Sequence, residues 1–224
     1  FRRVLFRSAW SSSVQAANPR PSTIQPQALS VLKAPADSGM GGDLLYQLLI
    51  SELQITQGQP GAGFSLTLDA AGDADVVVDI DWSGISTGTE RLLWSGRMPA
   101  FPGMGYPLVP GYESVGRIID AGPAHQQRIG EWVFVPGASC YRDARGLFGG
   151  AARTLIVASA RAMPIKEELA EKGILYALAA TALHAICHGE LPQLIIGHGI
   201  VGRLWARLTL ASGAPAPIVW DTNP

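Results

Sequence analysis

Cysteine is scarce in this sequence: 224 residues hold two, Cys140 and Cys187, far apart and in unlike surroundings. No CxxC pair exists, which excludes a four-cysteine structural zinc lobe, and no disulfide is indicated. A reducing compartment follows as the default. Charge is sparse too. Charged residues make up 16%, and 17 basic against 18 acidic side chains leave a formal net charge of −1. That balance removes any broad electrostatic case for nucleic acid. No apolar run is long enough to span a membrane. The longest, Gly173 to Cys187, is interrupted by His184 and reads as a buried helix. Near the start, Arg2 and Arg3 precede only Val4-Leu5-Phe6, too short an apolar core for a signal peptide.

Hydrophobic residues, by contrast, reach 47%, and 26 glycines and 16 prolines punctuate the chain. This is a globular composition with many turns. Residues 1–62 do not match the rest. Ser11 to Gln27 is rich in Ser, Pro, Gln and Asn and is expected to be disordered. Leu44 to Ile55 fits one short helix capped by Asp43. Leu5-Phe6-Arg7-Ser8 is also what a common sequencing-adapter end encodes in one reading frame, so part of this segment is expected to be artefactual.

From residue 63 to 165 short strands alternate with Gly/Pro turns: Phe64 to Leu68, Val76 to Trp82, Gly111 to Ile119, Glu131 to Val135 and Thr154 to Val157. Such spacing predicts a small barrel-like β domain. Residues 166–190 change period, and Glu167 to His188 reads as one helix, broken by Leu191-Pro192. Over 191–224 a buried strand (Gln193 to Ile196), a helix (Val201 to Ser212, closed by Gly213) and a second strand (Pro217 to Trp220) make a βαβ unit.

Gly197-His198-Gly199-Ile200-Val201-Gly202 fits G-x-G-x-x-G between that strand and that helix. The first glycine permits the tight turn and the second lets a pyrophosphate approach the backbone. The third lets helix and strand pack closely, and Ile200 and Val201 open the helix whose N-terminus faces the phosphates. Asp221 follows at the end of the next strand, where an acid accepts hydrogen bonds from the adenosine ribose and repels a 2′-phosphate. The expected cofactor is NAD.

Together with the run Val76 to Gly122, with Pro107-Leu108-Val109-Pro110-Gly111-Tyr112-Glu113 and Gly116-Arg117-Ile118-Ile119, and with the helix bearing Ala180-Thr181-Ala182, this motif resembles the medium-chain dehydrogenase/reductase family. The resemblance implies an α/β and β chain: a GroES-like β-barrel catalytic domain, then the truncated start of a Rossmann domain. It also implies that Thr181 contacts the nicotinamide. Zinc-dependent members bind their metal through Cys, His and Cys. The corresponding places here are Ser86 (within one position), Tyr112, with the neighbouring Glu113 retained, and about Ala177. Serine, tyrosine and alanine cannot replace two thiolates and an imidazole, so no metal is expected.

Trp82 to Pro99, Phe101 to Glu113, Gly146 to Ala151 and Trp220 to Pro224 are similar to a zinc-free branch of that family. Those enzymes serve bacteriochlorophyll biosynthesis, oxidising the 3-(1-hydroxyethyl) group of a bacteriochlorophyllide or chlorophyllide to 3-acetyl with NAD. The resemblance implies a Mg-tetrapyrrole substrate, a chain continuing past Pro224, a homodimer of the full-length protein, and a cytoplasmic enzyme that meets the photosynthetic membrane through its pigment. Without zinc a hydroxyl or acid relay must take the alcohol proton. The candidates are Ser86, Thr87, Thr89, Tyr112 and Glu113, with Tyr112 and Ser86 first; a packing role for Tyr112, and an Arg91 or Arg97 partnership for Glu113, stay open. Trp94, Met98, Phe101, Met104 and Tyr106 crowd a Gly/Pro-rich loop where a flat macrocycle could stack, with Arg91 or Arg97 meeting a propionate; the plainer alternative is a local hydrophobic cluster. His184 and His188 share a helix face without a third ligand and read as packed or surface residues. Two other functions stay open, a quinone or enoyl reductase of the same family and a non-catalytic dinucleotide-binding relative.

Overall fold

The computed structural model describes residues 5–7, 27–28, 64–94, 96–106, 108–146, 148–187 and 189–222. The helix expected at Leu44 to Ile55, nearly all of Ser11 to Gln27, and His188 lie outside them. The chain divides into two compact units at Ile174/Leu175.

The first unit is built on β4 (Asp75–Gly84), a ten-residue strand. Its Val76, Val77 and Val78 are all buried, and β-branched residues suit such a pleated, covered surface. It pairs antiparallel with β6 (Ser114–Ala121) on one side and β9 (Thr154–Ala158) on the other. β7 (Trp132–Val135) and β10 (Met163–Pro164) continue the sheet beyond β6. The short strand β1 (Leu5–Arg7) lies against Trp82–Gly84. Val76, Val78, Ile118, Val133, Val135 and Leu155 close the core, each no more than 1% exposed. Phe64 to Leu68 is less regular than its alternation predicts. β2 (Gln27–Ala28) pairs only with β3 (Phe64–Ser65), and Leu68 makes a single bridge to Tyr141.

Two features position the site. β4 runs two residues further than its apolar pattern, because Ser83 pairs with Ser114 and the Gly84 N–H donates to the Glu113 carbonyl at 2.8 Å. The segment Ser86 to Glu90, loop-like in composition, opens a helix, α1 (Thr87–Trp94). The reason is local: Glu90 Oε1 accepts the Ser86 N–H at 3.2 Å while the Glu90 N–H donates to the Ser86 carbonyl at 2.9 Å. That reciprocal pair satisfies donors a helix start otherwise leaves orphaned. The parallel pair β5 (Leu108–Val109) and β8 (Arg145–Gly146) then sets the loop after Gly146 beside Gly111 and Tyr112.

The helix expected over Glu167 to His188 is split. Glu167–Leu175 is 3-10 and α2 (Tyr176–Cys187) follows. Within the 3-10 stretch Gly173 is buried, and a Cβ there would lie 2.8 Å from Ile165 Cδ1 and 2.9 Å from Val115 Cγ2. In the second unit α2 packs on α3 (Ile200–Ala211) through Ala182, whose carbonyl accepts the Trp205 indole N–H at 2.9 Å. α2 is not the buried helix its composition implies, since Ala182 is covered but Leu183 is 46% exposed. β11 (Leu194–Ile196) pairs parallel with β12 (Ile218–Trp220). β11 differs from the buried strand expected: Ile195 is covered, whereas Ile196, like Ile218 in β12, is more than 70% exposed. A helix on one face of a parallel sheet covers that face alone.

Candidate active site

The glycine loop lies between β11 and α3. Gly197 has φ +98°, a left-handed conformation open to glycine, and its N–H donates to the Trp220 carbonyl at 2.8 Å. Gly199 is the N-cap of α3, with empty space where a Cβ would stand. Gly202 is buried, and a Cβ there would fall 2.0 Å from the Gly197 carbonyl oxygen. So the loop turns at the first glycine, is open at the second and is packed shut at the third, with the first N–H groups of α3, those of Ile200 and Val201, at its mouth. Asp221 accepts the His198 N–H on Oδ2, which ties the acid to the loop. Arg203, exposed, donates to the His198 carbonyl at 3.0 Å. It sets a cation on the first turn of α3, a residue the motif did not single out although it follows Gly202 directly. These residues fit a dinucleotide diphosphate: an open backbone donor site at a helix start with a fixed positive charge beside it. Thr181, by contrast, bonds its own helix, with Oγ1 donating to the Ala177 carbonyl at 3.0 Å.

The first unit gathers hydroxyls and carboxyls where β4 becomes α1. Ser86 and Thr89 are half-buried, and the Ser86 hydroxyl donates to Thr89 Oγ1 at 3.2 Å. Glu90, a turn along, binds the Ser86 N–H. Its carboxyl is pushed up to about 7, chiefly by burial, with the Glu113 carboxylate adding and the Ser86 N–H opposing. Glu113 is fully buried, close enough to Gly84 that a Cβ on that glycine would meet its Oε2 at 2.2 Å. Burial and the nearby Glu113 thus make the Glu90 carboxyl an acceptor of protons near neutral pH. Sequence reasoning named Glu113 and passed over Glu90; the signal was its place four residues after Ser86, at a helix start hidden by a loop-like composition. The Thr87 side chain lies outside the described residues.

Tyr112 leans on Phe148 edge-to-face, with ring centres 5.2 Å apart and planes at 70°. The residues expected to stack a macrocycle divide. Met98, Met104 and Tyr106 pack around buried Leu93 and Leu108, and the Tyr106 hydroxyl donates to the Leu93 carbonyl. They form the local hydrophobic cluster of the plainer reading. Phe101 is 38% exposed. Arg91 and Arg97 are exposed and make no ion pair among the described residues, so neither partners Glu113. The Trp94 side chain lies outside the description. Among the described residues no three His, Cys, Asp or Glu side chains converge as a metal site, and hydroxyls at Ser86 and Tyr112 do not fit one. No helix among the described residues is long and apolar enough to cross a membrane.

Residues 72–167 match the family model described as the alcohol dehydrogenase GroES-like domain. Over 156 residues, 68% of the chain, the sequence is 56% identical to a Rhodobacter capsulatus protein, 2-desacetyl-2-hydroxyethyl bacteriochlorophyllide A dehydrogenase, covering 50% of it. The protein of that name from Cereibacter sphaeroides is 51% identical over 166 residues, 71% of this chain and 52% of its own. The chain therefore spans about half the length of the curated relatives it matches. A solved Escherichia coli CFT073 alcohol dehydrogenase, complexed with NADH, is 19% identical. It covers 72% of this chain and 59% of its own with a TM-score of 0.56, a likeness of fold.

Proposed function

The chain belongs to the medium-chain alcohol dehydrogenase family, and from that premise we propose that it acts in the NAD-dependent oxidation of a 3-(1-hydroxyethyl) bacteriochlorophyllide to the 3-acetyl pigment. The observation that carries the reading is the 56% identity to a dehydrogenase named for that substrate. The open Gly199 cradle supports the dinucleotide. Asp221 favours NAD over NADP by charge, as its carboxylate would repel a 2′-phosphate.

Bound nicotinamide dinucleotide supplies the hydride acceptor. The chain's own residues manage the proton. The Ser86 hydroxyl, hydrogen-bonded to Thr89 Oγ1, receives it from the alcohol, and Glu90, held on the Ser86 N–H with its carboxyl raised to about 7, is the group that keeps it. Burial holds that affinity up, and Glu113 adds to it. Ser86 and Thr89 rank above Tyr112 here because they adjoin a carboxyl that can keep the proton. Gly197, Gly199 and the first turn of α3 would hold the phosphates of the dinucleotide, with Arg203 offsetting their charge. We place such an enzyme in the cytoplasm, where it meets the photosynthetic membrane through its pigment.

The test is an anaerobic assay of the complete gene product with NAD and 3-(1-hydroxyethyl) bacteriochlorophyllide, following the absorption change as the new carbonyl joins the conjugated ring. Formation of the acetyl pigment with NAD, and much less with NADP, is expected. Turnover of a quinone or an enoyl substrate with no action on the pigment would replace this reading with the reductase one.

A further inference from the structure

Among the described residues, Phe148 alone of the non-glycine residues has a left-handed backbone, with φ +64°. That region is unfavourable for a bulky side chain. The loop enforces it. The Ala138 N–H donates to the Phe148 carbonyl at 2.6 Å, and Gly137 (φ +120°) makes room for that carbonyl, since a Cβ there would lie 1.7 Å from it. On the other side the Gly149 N–H donates to the Val109 carbonyl at 3.1 Å, and the buried Tyr141 hydroxyl donates to the Gly149 carbonyl at 2.5 Å. Glycine would take this backbone without strain, and yet the position carries a phenylalanine.

Packing does not account for it. The Phe148 side chain is not core: the residue is 45% exposed. Its ring contact is Tyr112, which meets it edge-to-face and fixes the angle of the ring. Strain kept without burial in return is characteristic of residues that meet a ligand. What the pair offers is a braced aromatic face, open to solvent, which suits an offset-stacked planar ring system. Tyr112 directly precedes Glu113, whose backbone carbonyl is bonded to Gly84, so the wall is built from the same loop as the proton site.

We propose that Phe148, braced by Tyr112, is the stacking wall that orients the planar conjugated ring of the substrate; this rests on the reading of the substrate as a tetrapyrrole. Two variants separate the ring from the strain. Phe148→Gly removes both, and Phe148→Ala removes the ring while keeping a Cβ in the left-handed backbone. Both are expected to raise KM for the bacteriochlorophyllide about tenfold, the loss of one good aromatic contact, with kcat and the Kd for NAD changed less than about twofold. Their melting temperatures should divide, Phe148→Gly at or above the parent and Phe148→Ala below it. Phe148→Trp should keep KM near the parent value. An unchanged KM in Phe148→Gly, or a KM rise confined to the less stable Phe148→Ala, would overturn the proposal while leaving the pigment reading intact. If the parent protein does not oxidise the pigment, that reading fails first, and does so in a separate measurement.

Discussion

At the scale of single residues, Glu90 is the group on which stability and activity oppose each other. Its folded-state affinity for a proton lies above the ordinary carboxyl value of 4.5, at about 7. Between those two pH values the folded chain binds more protons than the unfolded one, so stability falls as pH rises through about 7. In the proposed reaction the same rise in pH frees the carboxylate that takes up the alcohol proton. Two outcomes are expected. Activity should climb with pH through about 7, and Glu90→Gln should lower kcat by roughly 100-fold or more, the usual scale of general-base loss. The same variant should melt higher than the parent at pH 8 and nearly with it at pH 4, read by paired thermal scans. If Glu90→Gln keeps the parent's kcat and pH profile, the carboxyl takes no proton in the reaction. Gly84 gives a second handle. A Cβ there would meet Glu113 Oε2 at 2.2 Å, so Gly84→Ala should displace that carboxyl and shift the activity profile, measured as its midpoint, as well as costing stability.

At the scale of elements, the glycine loop and α1 make a contrast in what could be read beforehand. Gly197, Gly199 and Gly202 were legible because each constraint is local: a turn, an open approach and a packed contact, in fixed order between a strand and a helix. Gly202→Ala is expected to abolish measurable NAD binding by calorimetry with little change at Glu90, because its new methyl would sit 2.0 Å from the Gly197 carbonyl. Binding within a few-fold of the parent would mean the cofactor does not rely on this loop. α1 was not legible. Ser86-Thr87-Gly88-Thr89-Glu90 reads as loop by composition, and what makes it helical is a bond from Glu90 back to Ser86, which no periodicity reports. Similarly Gly173, unremarkable in an apolar run, lies buried in a 3-10 stretch where a Cβ would crowd Ile165 and Val115. Met98 and Tyr106 looked like a pigment site because apolar residues in a Gly/Pro-rich stretch resemble a binding loop. They pack against Leu93 and Leu108, whereas Phe148, distant in sequence, stays 45% exposed.

At the scale of the molecule, the first unit is held by its barrel-like core and by a tie that no motif announces. Arg128, in the 3-10 turn Pro123–Arg128, donates to the Ser159 carbonyl at 2.6 Å, the Ser159 hydroxyl at 2.7 Å and the Ala162 carbonyl at 2.8 Å, and pairs with Glu131. It fastens the β6–β7 connection to the β9–β10 connection. Arg128→Ala should cost about 2–3 kcal/mol, since it strands several acceptors of a charged donor. Arg128→Lys should recover only part of that, because a point charge cannot match the planar fork. Denaturant melts check both. The β11–β12 sheet leads in another direction. Among the described residues Ile196, Ile218 and Trp220 form an exposed apolar strip, on a chain whose net charge is only −1. Mutual repulsion between such molecules is feeble, and apolar surfaces cohere more strongly in kosmotropic salt. Light scattering of this chain should therefore grow with concentration and with ammonium sulfate, most of all near pH 6.5, and Ile196→Ser with Ile218→Ser should quiet it.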